Sequence, residues 1–398
     1  MGYPIDTLKL DRVRRALEAQ ALDAVVVRAP DNVLYLTNYW PMKGYDLVIF
    51  PREGEPTLLV IEPQLAEAQR TAWTADVRAF RFYHPSDPRP PTERALDMGL
   101  EVLRERGLAG RVGIELSQGS QICDRMVGEP TVYTQRYFDA FRGVAREVLD
   151  AAPLLAGVRA IKTAQEIERM RLANELAAVG MEYARNLIHA EMMRECEVAA
   201  MIEGHIHAIG VGYKGKVDMA RAFTLVWSGP GIATFTPTSN RKIVENEPTL
   251  VEIWVAADGY WTDLTKNIVP GKLTPRYDRL LDQLLEIFNR AAGTCRDGAP
   301  LGEIDRIIRQ GIADAGYPGQ PSHPVGHGVG ARAHEPPYCH QRAPGVMREG
   351  MVLAIEPGLY WEGGGGLRLE DNFLITANGC EKLCSYPDDF RQVRTAAD

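Results

Sequence analysis

Apolar positions along the first 120 residues alternate between helical and strand spacing. Thr7 to Ala19 places Leu8, Leu10, Val13 and Leu17 on one side of a helix. Ala24-Val25-Val26-Val27 is a short β-branched run and predicts a buried strand. Asn32 to Thr37, Tyr45 to Phe50 and Thr57 to Ile61 are expected to be further strands, with turn chemistry in Pro51-Arg52-Glu53-Gly54-Glu55-Pro56. Pro85 to Pro91 holds four prolines and reads as a loop. A helix over Thr92 to Arg106 and a strand over Arg111 to Glu115 follow.

The pattern changes near Ala152-Pro153. Ile161 to Ala190 is proline-free, with Ile167, Met170, Ala173 and Leu176 near helical spacing. Thr163 and Glu166 form a capping box at its start. A second helix is predicted from about Arg194 to Ile209. Strands are expected over Ala222 to Trp227, Thr249 to Ala256 and Lys266 to Val269, then helices over Pro275 to Cys295 and Leu301 to Ala315. Met351 to Ile355, Gly358 to Trp361, Gly366 to Leu369 and Asn372 to Thr376 complete a strand-rich end. The reading is two domains, 1–155 and 156–398, an α/β unit followed by a larger α+β unit. No internal repeat is evident.

Bulk properties narrow the function. The chain has 398 residues, 45% hydrophobic and 25% charged, with a net charge of −8. That balance disfavours nucleic acid as a partner, which wants a basic face. No apolar stretch approaches the roughly 18 residues that span a bilayer. The start has no signal-peptide pattern, and Asp6 stands where myristoylation of Gly2 would want Ser or Thr. The six cysteines are irregularly spaced, so a reducing cytoplasm is the expected location.

Four of the eight histidines, His323, His327, His334 and His340, lie in one short stretch, in Ser-His-Pro-Val-Gly-His-Gly-Val-Gly and the run after it. Carboxylates in apolar settings accompany them. Glu252 sits in Leu-Val-Glu-Ile-Trp-Val, Asp263 in Trp-Thr-Asp-Leu-Thr, Glu356 in Ala-Ile-Glu-Pro-Gly and Glu370 in Leu-Arg-Leu-Glu-Asp. A lone buried carboxylate costs several kcal/mol unless compensated. Ala256-Ala257-Asp258-Gly259 reads as a hairpin turn that brings Glu252 and Asp263 to one face. Four such carboxylates beside a histidine cluster are best explained by a cation. His205 and His207, two apart on a predicted helix, face different ways and carry no function.

These residues resemble the "pita-bread" metallopeptidase family of methionine aminopeptidase, aminopeptidase P, prolidase and creatinase. Asn32 to Thr37 is similar to its N-terminal creatinase/prolidase domain, and Arg159 to Ile167 to the start of its catalytic domain. Pro324 to Gly330 with His334-Glu335-Pro336 resembles its histidine signature. Glu356 to Tyr360 and Arg368 to Asp371 resemble its two glutamate signatures. The resemblance implies a pita-bread catalytic domain behind a smaller creatinase-like domain, a homodimer, and hydrolysis of a C–N bond in a small Xaa-Pro-type dipeptide or amide. It implies one or two divalent ions, manganese, cobalt, iron or zinc, on Asp263, His327, Glu356 and Glu370. It also implies that His334 contacts substrate, with Glu356 as a proton shuttle. His323 and Arg368 are expected to bind substrate, with Arg368 pairing a substrate carboxylate or a ligand glutamate.

Two positions depart from the family pattern. Glu252 occupies the place of its first metal-binding Asp, one methylene longer. The stretch Ser228 to Pro237 lacks the substrate-contacting histidine that the family carries there. Glu252 is read as a ligand and site residue. The alternative is a metal-independent hydrolase of the ectoine hydrolase or creatinase kind, with Glu252 and His334 acting alone.

Overall fold

The structure is a computed structural model that describes residues 3–42, 44–117, 135–188, 193–234, 236–361 and 363–392. Gly2, Cys123, Phe235, Glu362 and the end of the run to Ala190 lie outside these residues. The chain forms two compact units, Met1–Arg159 and Ala160–Asp398.

The first unit is built on α1 Thr7–Ala19, β1 Ala24–Val27, α2 Pro30–Thr37, β2 Leu47–Pro51, β3 Thr57–Ile61, α3 Leu65–Thr71, β4 Val77–Phe80, α4 Pro91–Glu105, β5 Arg111–Ile114, α5 Gln135–Arg142, β6 Glu147–Asp150 and α6 Ala152–Ala160. Its six strands form one mixed sheet in the order β4-β3-β2-β1-β5-β6. The β1 run shows why. Val25 and Val27 pack on one side with Leu10, Val13 and Leu17 of α1, while Ala24 and Val26 pack on the other with Leu96 and Leu100 of α4. A strand covered on both faces is apolar without alternation.

Asn32 to Thr37 corrects the strand expectation, because this segment belongs to helix α2. Pro30 occupies its first turn and Asn38 ends it in the left-handed conformation. The buried Glu115 carboxylate accepts hydrogen bonds from the backbone N–H of Arg28 (2.8 Å) and Ala29 (3.2 Å) and from Asn32 Nδ2 (2.7 Å). An anion at a helix start, supplied from more than 80 residues away, is a tertiary effect that overrides a short apolar run. The expected junction at 155/156 also falls inside a helix, α6, and the division between units follows Arg159.

The second unit contains α7 Ala164–Leu187, α8 Glu195–Gly210, β7 Ala220–Ser228, β8 Thr249–Ala257, β9 Tyr260–Ile268, α9 Pro275–Ala292, α10 Gly302–Asp314, β10 Gly326–Gly328, β11 Glu335–Tyr338, β12 Val352–Ile355, β13 Gly358–Trp361, β14 Gly365–Arg368, β15 Asp371–Ile375 and β16 Cys380–Lys382. The capping box of α7 forms as its sequence suggests, with Thr163 accepting from Glu166 N–H and Glu166 accepting from Thr163 N–H.

Strands β7-β8-β9 form one antiparallel sheet, β11-β10-β12-β15-β16 a second, and β13-β14 a hairpin. Val251, Ile253 and Val255 of β8 pack against apolar residues of α7 and α8. Leu353 and Ile355 of β12 pack against α9 and α10. Helices therefore cover one face of each sheet, and alternation sends Glu252 to the uncovered side of its strand. A bridge between Thr265 and Glu370 ties β9 to the segment between β14 and β15. Among the described residues, no helix is long and apolar enough to cross a membrane.

Candidate metal centre

Each carboxylate reaches the centre through an identifiable element. Strands β8 and β9 meet at Asp258 (φ 48°) and Gly259 (φ 83°), a two-residue turn that needs positive φ at both positions. Asp258 also accepts from Met219 N–H at 2.7 Å. The register pairs Glu252 with Thr265 and Trp254 with Asp263, so all four project from the same face. His327 lies in β10, paired with Ala354 of β12, and Glu356 directly follows β12. Glycines flank His327 because the sheet is tight there. A Cβ at Gly328 would meet the Pro336 carbonyl oxygen at 2.5 Å, and one at Gly326 the Ala354 carbonyl oxygen at 2.8 Å.

The donor atoms converge. His327 Nε2 is 3.5 Å from both Asp263 Oδ2 and Glu356 Oε1, and His334 Nε2 is 3.3 Å from Asp263 Oδ2. Three sets, Asp263/His327/His334, His327/Glu356/Glu370 and Glu252/Asp263/Glu370, each bring one donor per residue within 4.8 Å of one another. Glu370 belongs to two of the three.

The residues fit a divalent cation by an independent criterion. Both carboxylate oxygens of Asp263 and Nε2 of His327 are buried and make no hydrogen bond. Nδ1 of His327 lies 3.0 Å from the Gly328 carbonyl oxygen and must carry the proton to donate there. The lone pair of Nε2 is thereby aimed at the carboxylates, as a ligand imidazole requires.

Electrostatics lead to the same conclusion. Glu252, Asp263, Glu356 and Glu370 are buried with one guanidinium, Arg368, so four negative charges face one positive and three remain. Burial, then the charges of Glu370, Glu252 and Glu356, pushes the Asp263 carboxyl well above the usual range. Burial and then Glu370 do the same to Glu356. Glu370 is also raised by burial, against the opposing pull of Arg368. The His327 imidazole is held well below its ordinary value by burial and by His334. These groups resist charging without a cation and would ligate one readily.

Arg368 ends β14 and is itself buried. Its guanidinium pairs with Glu252, and its Nε donates to Thr265 Oγ1 at 3.0 Å. Thr265 in turn donates to Glu370 Oε2 at 2.6 Å. Burial opposes charge on Arg368, but Glu252 and the other carboxylates outweigh it and raise its pKa. His323 lies 3.3 Å from Glu356 Oε2 through Nδ1 and 2.9 Å from the Tyr360 hydroxyl through Nε2. Burial, with Arg368 adding to it, lowers His323 to about 3.

Of the histidines in the cluster, His323, His327 and His334 therefore meet the carboxylates. His340 is exposed, and its Nδ1 accepts from Arg342 N–H at 3.1 Å. His205 stacks on Tyr183 at 4.0 Å, and His207 lies 3.4 Å from the Ala220 carbonyl. Thr265 and Tyr360 fall within the quoted motifs, but the sequence assigns neither a role. Thr265 has a local signal, since it stands two residues beyond Asp263 on a strand of period two. For Tyr360 the β13–β14 hairpin decides where its hydroxyl lies.

Similarity to known proteins agrees with this geometry. The sequence pattern of metallopeptidase family M24 matches residues 168–377, and that of the creatinase/prolidase N-terminal domain matches residues 9–161. The chain is 27% identical over 377 residues to the Xaa-Pro dipeptidase of Pyrococcus furiosus, covering 94% of this chain and 97% of that one. The crystal structure of the prolidase from Pyrococcus horikoshii OT3 matches with a TM-score of 0.79 at 25% identity, covering 96% of this chain and 99% of that one. The prolidase from Pyrococcus furiosus matches with a TM-score of 0.75 at 26% identity, covering 94% and 99%. These two patterns in this order, with the carboxylate–histidine centre inside the second unit, establish that the chain belongs to metallopeptidase family M24 and carries a creatinase/prolidase N-terminal domain.

Proposed function

We propose that this protein is a metal-dependent hydrolase that cleaves the peptide bond of Xaa-Pro dipeptides. The observation that carries the reading is the convergence of His327 Nε2 and the Asp263 carboxylate oxygens, buried and without a hydrogen bond, on the meeting point of Glu356 and Glu370. The chain is also similar, over nearly its whole length, to proteins named Xaa-Pro dipeptidase and prolidase.

Asp263, His327, Glu356 and Glu370 would hold an ion. Glu252, Asp263 and Glu370 offer a second set, with Glu370 common to both, so one or two ions per chain fit. A carboxylate-rich set with one imidazole suits manganese, cobalt, iron or zinc. A divalent ion bound there supplies Lewis acidity toward the substrate carbonyl and lowers the pKa of water.

The remaining steps belong to side chains. His334 is half-buried at the edge of the centre and is placed to donate toward the oxygen of the substrate carbonyl as charge develops on it. Glu356 is placed to take a proton on a carboxylate oxygen and return it to the departing nitrogen. His323 fixes Glu356 from behind. Its Nδ1 is 2.5 Å from the Pro324 carbonyl, so that nitrogen carries the proton and Nε2 accepts from Tyr360. This makes His323 a positioning residue rather than the substrate contact expected from the sequence. Arg368 pairs with Glu252, the second of its two expected partners, rather than with a substrate carboxylate. A carboxylate clamped by a guanidinium is also poorly placed as a nucleophile, so the metal-independent alternative finds no support. A homodimer in the cytoplasm completes the reading, on the family resemblance and the cysteine pattern.

Elemental analysis of the purified protein, paired with an Xaa-Pro dipeptide panel with and without chelator, tests the proposal. One or two transition-metal ions per chain and cleavage abolished by chelator are expected, with activity restored by added metal. Cleavage that survives complete metal removal overturns the metal-dependent reading. Inactivity toward every Xaa-Pro dipeptide, with metal bound, overturns the substrate assignment.

A further inference from the structure

The site-side face of the β7-β8-β9 sheet is not wholly polar. Register pairs Phe223 with Trp254 and Leu225 with Glu252, so Phe223 and Leu225 of β7 share the face that carries the carboxylates. Phe223 is 40% exposed in the middle of a nine-residue strand. Its ring lies 5.6 Å from that of Trp254, which lies 6.2 Å from His334, which lies 4.5 Å from His327. Four rings thus step from solvent to the metal-binding side chains. Leu225, half-buried beside Glu252, packs against the small apolar cluster of Trp227, Ile232, Leu250 and Tyr360.

An aromatic ring fixed on a strand and left in water forgoes the gain of burial. Hydrophobic and aromatic side chains predominate in the walls of small-molecule sites, and Phe223 stands on the carboxylate-bearing face, one ring removed from His334 through Trp254. The neighbouring stretch Ser228 to Pro237 supplies no histidine or carboxylate to turn this wall polar.

Resting on the dipeptidase reading, we infer that Phe223, backed by Trp254 and flanked by Leu225, is the specificity wall for the Xaa side chain, and that the enzyme selects large apolar or aromatic Xaa residues. Phe223 acts only on which substrate binds. The carboxylates and His334 act on bond cleavage.

The test is steady-state kinetics of the full-length, manganese-loaded protein on Phe-Pro, Leu-Pro, Gly-Pro and Asp-Pro. Wild type is expected to favour Phe-Pro and Leu-Pro over Gly-Pro by about tenfold or more in kcat/KM, the scale on which an apolar pocket discriminates. Phe223→Ala is expected to bring that ratio down by about tenfold, chiefly through KM, and Phe223→Leu to restore most of it. Because the ring is exposed, the thermal midpoint of each variant should stay near that of wild type, which separates specificity from folding. An unchanged ratio in Phe223→Ala, or a wild-type preference for Gly-Pro or Asp-Pro, overturns the inference while leaving the dipeptidase reading intact. Cleavage of none of the four by wild type removes that reading and this one with it.

Discussion

Glu252 is the residue at which this chain departs from its family's metal-binding pattern, and its surroundings fix what a change there should do. Its carboxylate pairs with the buried Arg368, while its place beside Asp263 and Glu370 also suits a second ion. Shortening it by one methylene in Glu252→Asp should loosen the arginine pair and raise the metal content per chain, read by elemental analysis after gel filtration. Unchanged metal content would show that the extra methylene is without consequence. Glu252→Gln instead leaves Arg368 buried without its nearest counter-charge. Removing one partner of a buried pair costs about 3–5 kcal/mol, so a lower midpoint of chemical unfolding is expected.

A second carboxylate, Asp46, gives a pH signature in the first unit. Its side chain is buried, and no other residue donates a hydrogen bond to its carboxyl. Burial raises its pKa to about 8, against a partial opposing pull from its own backbone N–H and from Arg28. The folded state therefore holds a proton on Asp46 that the unfolded chain releases near pH 4. The folded state binds more protons throughout this interval, so stability falls as pH rises from about 4 to about 8 and the loss is complete above it. Asp46→Asn should raise the thermal midpoint at pH 8 by several degrees and leave it nearly unchanged near pH 4. An equal shift at both values would remove the assigned cause.

Elements decide where these side chains end up. The segment before α7 places Lys162 so that its Nζ lies 2.9 Å from Glu335 Oε1, both groups almost fully buried. Glu335 opens β11 and directly follows His334, so this pair anchors the end of the loop that presents His334 to the centre. Lys162→Met should destabilise by about 3–5 kcal/mol in urea unfolding, because it removes the ammonium counter-charge of a buried carboxylate. The double variant Lys162→Met/Glu335→Gln should recover much of that loss, and a double variant no more stable than the single would argue against the pair. The same logic explains α2. Its residues read as a strand in isolation, but Glu115 at the end of β5 satisfies the N–H groups at the helix start. A sequence window cannot contain that partner.

On the scale of the whole molecule, binding of metal should be a folding term as well as a catalytic one. Without a cation, burial and mutual repulsion oppose ionisation of the crowded Asp263, Glu356 and Glu370 carboxyls, and an ion that binds only the folded state stabilises it by RT ln(1 + [L]/Kd). At a metal concentration about 100 times Kd this is ~2.7 kcal/mol. The thermal midpoint should therefore climb with added manganese or cobalt and fall with chelator, whatever substrate is present. A midpoint indifferent to both would contradict a cation at this centre.

The sequence by itself determined the long helices and most of the longer strands of the second unit, because amphipathic helices and apolar strands carry their periods locally, while the short strands β10, β11 and β16 carry too few residues to show a period. It also singled out the carboxylates that the fold brings together, since a charge inside an apolar strand has few explanations and Glu252, Asp263, Glu356 and Glu370 present four such cases. Tertiary structure alone decided what those donors touch. Register aligned Glu252 with Thr265 and placed Phe223 on the same face, and the β13–β14 hairpin carried Arg368 to Glu252 and Tyr360 to His323. Those contacts join residues from 13 to 116 positions apart, and only backbone hydrogen bonding between strands sets which side chains become neighbours.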